Sequence, residues 1–359
     1  MKSSEELKAL ISNIEGIDEK AIKRAIKYNN KLAKPINSMG ELENIAIKIS
    51  GITGKIKNNI KKKRVIVFAS DNGVTEEGVS TSPVSVTKAQ AINLTKGITG
   101  CASLAKCYKT EVKVYDVGII SDVMDSDVIN KKISYGTNNF TKGPALTKEE
   151  ATKAIFVGLE AVKEAKEEGI DLIGVGEMGI GNTTTSSAVL SVLLDKDVKS
   201  VTGYGAGLTE ELYNHKVEVI KRGIEVNKPD SSDVIDVLSK VGGLDLCAMT
   251  GAFLGAGLYK IPVVIDGLIS AVAAVCSYIL NKNTVDYMFA SHASIEPGYK
   301  VAMDYLGLKT FLDLDMHLGE GSGCPIAFEV IKGACFAFSH MATFKQAEIN
   351  DSYLDILRK

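Results

Sequence analysis

The sequence has almost no net charge and no long apolar run. These two absences argue against nucleic acid and against a membrane as binding partners of the protein. Its 359 residues carry a formal charge of −2 at neutral pH, which excludes the basic field that attracts nucleic acid. No apolar stretch reaches the roughly 18–20 residues that cross a membrane, and residues 1–27 lack the apolar centre of a signal peptide. We therefore expect a cytoplasmic protein that binds neither nucleic acid nor membrane. The lysine-rich residues 57–64 are expected to form a solvated helix end.

Histidine is scarce, and the cysteines show no spacing typical of a metal or redox site. The four histidines have no H-E-x-x-H or related pattern, and the six cysteines form no C-x-x-C. The cysteines lie mostly in apolar, helix-like stretches, which predicts reduced cysteines in a protein core. We therefore expect neither a metal site nor a cofactor.

What the sequence does contain is a regular alternation of short apolar runs with longer helical patterns. Runs rich in β-branched residues predict six strands, at residues 64–70, 112–120, 171–177, 261–267, 285–291 and 310–316. Helical patterns such as residues 148–169 lie between most of them. This alternation predicts an α/β fold with three Rossmann-like layers, in which helices cover both faces of a mostly parallel six-stranded sheet.

The two ends of the chain predict a second, smaller unit. Helical patterns at about residues 4–33 precede the first strand, and another at about residues 324–345 follows the last strand. We expect these ends to pack together. Residues 1–40 and 321–359 would then form a small helical domain, and residues 41–320 the large catalytic domain.

Polar residues and glycines follow the ends of all six predicted strands. They are residues 70–73, Asp116 and Gly118, Gly176 and Glu177, Asp266 and Gly267, residues 291–294, and residues 319–323. In an open α/β sheet the carboxyl ends of the strands share one rim, and ligands bind along that rim. The sequence therefore predicts a ligand site there.

One rim segment, GVGEMGIGNTTT at residues 174–185, contains the spacing G-x-G-x-x-G. A dinucleotide loop would place a pyrophosphate here, but Glu177 would repel it, and a lone motif of this kind is weak. The other interpretation is a pocket in which Asn182, Thr183 and Thr184 bind a phosphate or ribose, while Glu177 faces a nitrogen heterocycle or a cation. An ordinary helix cap explains this single loop equally well.

Other segments point to the same rim. Glu320 again stands between glycines, and a crowded carboxylate tends to have a raised pKa, which suits a general base; an acid at a helix start is an equally good explanation. Ser82 and Gln90 could bind a planar base, or form a routine loop and cap. Lys216 could reach a phosphate, although a single helical lysine is more often solvated.

Eight segments, in one order along nearly the whole chain, together resemble the nicotinate-nucleotide–dimethylbenzimidazole phosphoribosyltransferase family of cobalamin nucleotide-loop assembly. They are residues 34–43, 71–83, 136–147, 176–185, 203–208, 262–274, 291–298 and 312–323. The resemblance implies transfer of ribose 5-phosphate from nicotinate mononucleotide to 5,6-dimethylbenzimidazole or a related base, with inversion at the anomeric carbon. It also implies a homodimer that needs no cofactor and no metal.

The resemblance assigns roles to individual residues. It implies that Glu320 is the general base that takes the proton of the acceptor, and that Glu177 assists in the same cleft. The residues implied to bind the base are Ser82, Gln90, Met178 and Leu318. The residues implied to bind the nucleotide are Gly179, Gly181, Asn182, Thr183, Thr184, Gly205, Gly207, Lys216, Asp266, Gly267, Ser291 and Ser294.

Two other functions stay open at this point, a non-catalytic nucleotide sensor and an NAD-dependent oxidoreductase. A sensor has little use for two carboxylates in a cleft, and Glu177 disfavours the oxidoreductase. The chain also has His317 where the family favours an arginine. Because His317 adjoins the expected base pocket, the preferred acceptor stays open among dimethylbenzimidazole, other benzimidazoles, adenine and phenols.

Overall fold

A seven-stranded parallel sheet forms the centre of the molecule. The computed structural model describes residues 3–125, 127–205 and 207–352. Its strands are β1 (Lys63–Ser70), β2 (Glu111–Gly118), β3 (Val128–Asn130), β4 (Leu172–Met178), β5 (Val263–Ile265), β6 (Met288–His292) and β7 (Thr310–Leu312). Their order in space is β3-β2-β1-β4-β5-β6-β7, and every neighbouring pair is parallel.

The predicted α/β class is confirmed, and the predicted count of six strands is one too low. All six predicted strands are present, although β5 and β7 have only three residues each. The additional strand, β3, pairs with residues 114–116 of β2. A run of three residues is too short to show either the alternation or the apolar length by which a strand is recognised in a sequence.

Fourteen α-helices lie in the described part of the chain. They are α1 (Ser4–Ile11), α2 (Glu19–Asn29), α3 (Glu41–Thr53), α4 (Ser85–Thr95), α5 (Gly100–Cys107), α6 (Lys148–Glu167), α7 (Asn182–Leu193), α8 (Val198–Val201), α9 (Glu210–Asn227), α10 (Val234–Val241), α11 (Leu244–Tyr259), α12 (Leu268–Leu280), α13 (Pro297–Leu306) and α14 (Gly323–His340). Helices α6, α11 and α12 lie on one side of the sheet, and α4, α5 and α14 on the other.

A close helix contact, between α6 and α11, depends on glycine. A Cβ atom at Gly158 of α6 would overlap the backbone of Ala248, and one at Gly251 of α11 would overlap the backbone of Ile155. The missing side chains let the two backbones approach, and α11 is buried along residues 244–257. This packing holds the start of α11 close to the carboxyl end of β4.

Residues 57–64 do not form the solvated helix end that the sequence predicts. Helix α3 already ends at Thr53, and Lys63 and Arg64 begin β1 with buried side chains. Lys63 pairs with Glu329, and Arg64 pairs with Glu111 at 2.7 Å and also with Glu168. Buried charges of this kind are tolerated only when paired, and these partners come from distant parts of the chain.

The two ends of the chain pack against each other around α2, α3 and α14. Ala25, Leu32, Ala46 and Phe338 form a buried cluster separate from the main core, and Leu32 forms an antiparallel bridge with Thr343. The division into a small domain of residues 1–40 and 321–359 and a large domain of residues 41–320 stays a prediction. Residues 1–2 and 353–359 of that prediction lie outside the described residues.

The cysteines and the apolar helices match the expectations from the sequence in most respects. Five cysteines are buried, as the sequence predicts, whereas Cys107 at the end of α5 is exposed. None of the helices in the described ranges combines the length and the apolar character that a membrane span requires.

The order of the strands determines where a ligand can enter. From β1 the chain continues to β2 and β3 on one side, whereas β4 to β7 follow on the other side of β1. Loops that leave β1 and β4 therefore diverge and open a crevice at the carboxyl ends of these strands, which is the usual ligand site of an open α/β sheet.

Candidate active site

A cavity of about 250 Å³ occupies this crevice, between the loops that follow β1, β4, β5, β6 and β7. Fifteen of the eighteen predicted site residues line it: Ser82, Gln90, Glu177, Met178, Gly179, Gly181, Asn182, Thr183, Gly205, Lys216, Asp266, Gly267, Ser294, Leu318 and Glu320. The structure therefore brings together residues that are distant in sequence.

Glu177 is buried at the end of β4 and shares a hydrogen-bond donor with a second buried carboxyl group. Nδ2 of Asn182, the first residue of α7, donates to Oε2 of Glu177 and to Oδ2 of Asp245 at 3.1 Å. Burial, followed by the charge of Asp245, raises the pKa of Glu177 to about 8, and burial raises the pKa of Asp245 to about 6. The two carboxyl groups share one donor and therefore titrate as a coupled pair.

Glu320 stands in a turn whose backbone demands the glycines beside it. Gly319, Glu320 and Gly321 have φ angles of +83°, +62° and +83°, in the left-handed region that costs a non-glycine residue about 1–2 kcal/mol. A Cβ atom at residue 319 would lie 2.5 Å from Oε1 of Glu177, and one at residue 321 would lie 2.7 Å from Cγ1 of Val65. Glycine is therefore required at residues 319 and 321 both by the backbone conformation and by the lack of space for a Cβ atom.

Asp266, at the end of β5, anchors this turn. Its two carboxylate oxygens accept hydrogen bonds from the backbone N–H of Gly321 at 3.0 Å and of Gly323 at 2.7 Å. Nδ1 of the buried His292 lies 3.9 Å from Asp266. Burial raises the pKa of Asp266, and the charge of His292 and the two N–H donors oppose that rise.

The Glu320 side chain is held by donors from two helices. Its Oε1 accepts from Nε2 of Gln90 on α4 at 3.3 Å, and its Oε2 accepts from the backbone N–H of Cys101 at 3.0 Å. Cys101 lies in the first turn of α5, where unpaired N–H groups favour negative charge. The N–H of Glu320 itself donates to Oε1 of Glu177 at 3.3 Å.

Another part of the cavity wall carries a buried cation. Lys216 on α9 is only 1% exposed, and its Nζ donates to Oγ1 of Thr183 at 2.9 Å and to the carbonyl of Gly203 at 3.3 Å. Burial lowers the pKa of Lys216 to about 8, although the charge of Glu296 opposes this effect. Glu296 accepts from the N–H of Gly205 at 3.0 Å. A lysine with spare donor capacity beside a glycine-rich loop suits a phosphate.

The wall near Glu320 is partly apolar and open. Met178 is half-buried, and Leu318 is 58% exposed. His317 lines the same cavity, and its ring nitrogen Nδ1 lies 3.0 Å from the carbonyl oxygen of Asp315. A flat ring could lie against these side chains while a ring nitrogen faces Glu320.

Comparisons with known proteins identify the family. A family model described as "Phosphoribosyltransferase" matches residues 14–349. A nicotinate-nucleotide–dimethylbenzimidazole phosphoribosyltransferase from Clostridium tetani is 49% identical to this chain over 346 residues, which is 96% of each sequence. The chain belongs to the nicotinate-nucleotide–dimethylbenzimidazole phosphoribosyltransferase family.

Further members of the family are similar over the same length. The Clostridium perfringens enzyme of this name is 51% identical over 349 residues, or 97% of each sequence. The crystal structure of the Thermus thermophilus phosphoribosyltransferase of the same name is 33% identical, with a TM-score of 0.88 over 94% of this chain and all of that one. The resemblance seen in the sequence is therefore confirmed.

Three residues that the phosphoribosyltransferase resemblance implies for the nucleotide do not line the cavity. Thr184 is buried within α7 and Gly207 is exposed beyond the cavity. Ser291 is buried in β6, where its hydroxyl is 3.0 Å from Nδ1 of His292. Their contacts with a nucleotide stay a prediction, as do those of the lining residues. In the described ranges no three His, Cys, Asp or Glu side chains form a group able to hold a metal ion.

Three charged or titratable groups of this phosphoribosyltransferase site were not expected from the sequence. Glu296 and His292 line the cavity, and both lie in residues 291–298, one of the eight segments that carry the resemblance. Asp245 bonds to Asn182 behind the cavity wall. Nothing in its local sequence distinguishes it from an ordinary acidic residue in the first turn of a helix.

Proposed function

We propose that this chain transfers the ribose 5-phosphate group of nicotinate mononucleotide to 5,6-dimethylbenzimidazole or a related lower-ligand base. The products are α-ribazole 5′-phosphate and nicotinate. Membership of the family supports the reaction. One observation supports its location: the carboxyl groups of Glu177 and Glu320 lie in the cavity that also holds the buried Lys216, and the backbone N–H of Glu320 donates to Oε1 of Glu177 at 3.3 Å.

Glu320 acts as the general base. The bond between ribose C1 and the pyridinium nitrogen breaks, and its electrons return to the ring, so the leaving group needs no proton. One imidazole nitrogen of the acceptor forms the new bond to C1, and the other nitrogen gives its proton to Glu320. Gln90 and the N–H of Cys101 hold the carboxylate in place for this step. Attack opposite the leaving group inverts the anomeric carbon from β to α.

Glu177 stabilises the positive charge that develops at ribose C1. Fixed negative charge in a buried site stabilises such a transition state more strongly than water does. A cationic pyridinium ring beside Glu177 favours its ionised form, and a pKa of about 8 makes that ionisation accessible near neutral pH.

The phosphate binds at Lys216 and at the start of α7. Gly181 precedes α7 without a side-chain cap, and the N-terminal end of the helix favours an anion. The amide nitrogen of Asn182 is already shared by two carboxyl groups. The backbone N–H of Asn182 donates to the carbonyl of Gly179 at 3.2 Å, so Thr183 and Lys216, rather than Asn182, contribute the donors to the phosphate.

The active form is a homodimer in the cytoplasm, a proposal that rests on the resemblance to the family. The absence of a membrane-spanning helix in the described ranges is compatible with it. Sedimentation of the purified protein measures its oligomeric state, and a monomer under the conditions of turnover would contradict the dimer.

A competition assay tests the reaction. The purified chain is incubated with nicotinate mononucleotide and equal concentrations of dimethylbenzimidazole, benzimidazole, adenine and phenol, and mass spectrometry identifies the ribosyl phosphate products. A dominant product with release of nicotinate supports the proposal and names the acceptor. If the mononucleotide binds but no acceptor gives a product, the chain is a nucleotide sensor and the proposal is wrong.

A further inference from the structure

Asp245 is a fully buried carboxyl group that does not line the cavity of the described residues. It lies in the first turn of α11, and its Oδ1 accepts from the N–H of Leu246 at 2.9 Å. Burial raises its pKa, and hydrogen bonds from Asn182, Leu246 and Asn72 oppose that rise. A buried carboxyl group is costly, so its position in the fold needs an explanation.

The Asn182 amide supplies that explanation. A primary amide has two N–H donors, and Asn182 directs Nδ2 to both Glu177 and Asp245. The direction of one hydrogen bond therefore fixes the direction of the other. Glu177 in turn accepts from the N–H of Glu320 through its second oxygen. An ordered chain of contacts thus runs from Asp245 through Asn182 and Glu177 to the turn that carries Glu320.

We propose that Asp245 is a positioning residue for ribosyl transfer, which orients Glu177 through Asn182 and places a buried negative charge behind it. This inference rests on the function proposed above. The charge lies on the far side of Glu177 from the cavity, where substrate does not displace it. The N-terminal end of α11 stabilises that charge.

The charged and titratable groups around Glu177 determine the charge of the cavity wall, and Asp245 is one of them. Asp245 of α11 and Asp266 at the end of β5 both raise the pKa of Glu177, and Asn182 and the N–H of Glu320 lower it. The Glu320 carboxyl group belongs to the same turn as that N–H. The wall is therefore negatively charged even while Glu177 is protonated, as suits a cationic sugar transition state.

Two substitutions that act in opposite directions test this inference. Asp245→Asn keeps the shape and removes the charge, so Glu177 should ionise at lower pH. Asn182→Ser removes the shared donor to ionised Glu177, so Glu177 should ionise at higher pH. Both variants should lower kcat by roughly 10- to 100-fold: Asn182→Ser because misplacement of a catalytic group by about 1 Å has that effect, and Asp245→Asn because the fixed negative charge behind Glu177 is lost. The KM for the acceptor base should not change.

The readout is the pH dependence of kcat/KM for nicotinate mononucleotide, with thermal unfolding as a check of folding. Asp236→Asn is the matched control, because Asp236 is a mostly buried aspartate on α10 that pairs with Lys148 and Lys240; its pH profile should match that of the original chain. The kcat of the double variant Asp245→Asn with Asn182→Ser should fall by less than the product of the two single-variant decreases, because residues that act through one series of contacts are not additive.

Each outcome decides the inference. An unchanged pH profile and kcat in folded Asp245→Asn would overturn it. If Asp245→Asn does not fold, Asn182→Ser decides, and an unshifted profile in that variant would equally overturn it. If the original chain forms no ribosyl product, the proposed function fails. If the original chain is active and the variants match it, only the role of Asp245 fails.

Discussion

The backbone N–H of Glu320 donates to Oε1 of Glu177 at 3.3 Å, across 143 positions of sequence. The turn that carries one carboxyl group is therefore attached to the side chain of the other. Glu177 belongs to β4, beside the point where the strand order reverses, and Glu320 follows β7 at the edge of the sheet. The hydrogen bond couples the positions of the two groups, so a change at either residue is expected to affect both.

Replacement of Glu320 by Gln should remove the general base with little change in shape. We expect the turnover number to fall by roughly 10²–10⁴-fold, the usual range for loss of such a group, while the KM for nicotinate mononucleotide changes little. The initial rate of α-ribazole 5′-phosphate formation measures the effect. Turnover within a few-fold of the original chain would show that another group accepts the proton.

Replacement of Gly321 by Ala tests whether the Glu320 turn needs its glycines. The new Cβ would lie 2.7 Å from Val65 and 3.3 Å from Cα of Gly176, at a φ of +83°. We expect a loss of about 1–3 kcal/mol in the free energy of unfolding and a lower kcat, because the turn must shift Glu320.

Gly333→Ala is the matched control for this prediction. Gly333 lies within α14 and has no atom within 4 Å of the added Cβ, so Ala should stabilise the helix by up to about 1 kcal/mol. Denaturant unfolding and turnover of both variants provide the comparison. Equal effects of the two substitutions would mean that the turn tolerates a side chain.

The sequence predicts the fold and the two glutamates because each depends on a local pattern. Glu177 lies near the end of a strand and Glu320 in the loop after one, both with glycines close by, and the rim of a parallel sheet brings such segments together. Strand β3 was missed because three residues carry no pattern. The pairing of Lys63 and Arg64 was missed because their partners are distant in sequence.

The sequence could not predict which charged residues of the site are buried. Lys216 lies in a helix with many polar residues, and only the packing of α9 against α7 makes it 1% exposed. Asp245 resembles an acidic residue that favours a helix N-terminus. Its role as a partner of Asn182 follows from the position of α11 beneath β4, which depends on the close contact of α11 with α6.

The pH dependence of kcat/KM for nicotinate mononucleotide should be bell-shaped with a maximum near pH 8. Activity rises as Glu177 ionises, because its pKa is raised to about 8. Activity falls as Lys216 loses its proton, because its pKa is lowered to about 8. Initial rates at limiting mononucleotide across pH 6–10 measure both limbs.

Lys216→Met identifies the alkaline limb. This variant keeps an unbranched apolar side chain, lacks the cation and should raise the KM for the mononucleotide. Its rate should no longer fall as the pH passes about 8. If the alkaline limb persists in Lys216→Met, a different group titrates there and the phosphate site has been assigned to the wrong cation.

Glu177 should also make the stability of the fold depend on pH. Its pKa of about 8 in the fold lies above the ordinary value of 4.5, so the folded chain binds more protons than the unfolded chain between these values. The contribution of Glu177 to the free energy of unfolding is therefore full below about pH 4.5 and is lost as the pH rises through about 8. Glu177→Gln removes this contribution, and denaturant unfolding of both proteins at pH 5 and pH 8 measures it.

The comparison between the two proteins isolates Glu177, because all other groups titrate in both. We expect the difference in the free energy of unfolding between Glu177→Gln and the original chain to shift in favour of the variant from pH 5 to pH 8. Glu149→Gln, at an exposed residue whose pKa is lowered by Lys153, should show no such shift. A constant difference would mean that Glu177 is already ionised at pH 5, and the acid limb of catalysis would then belong to Asp245 or Asp266.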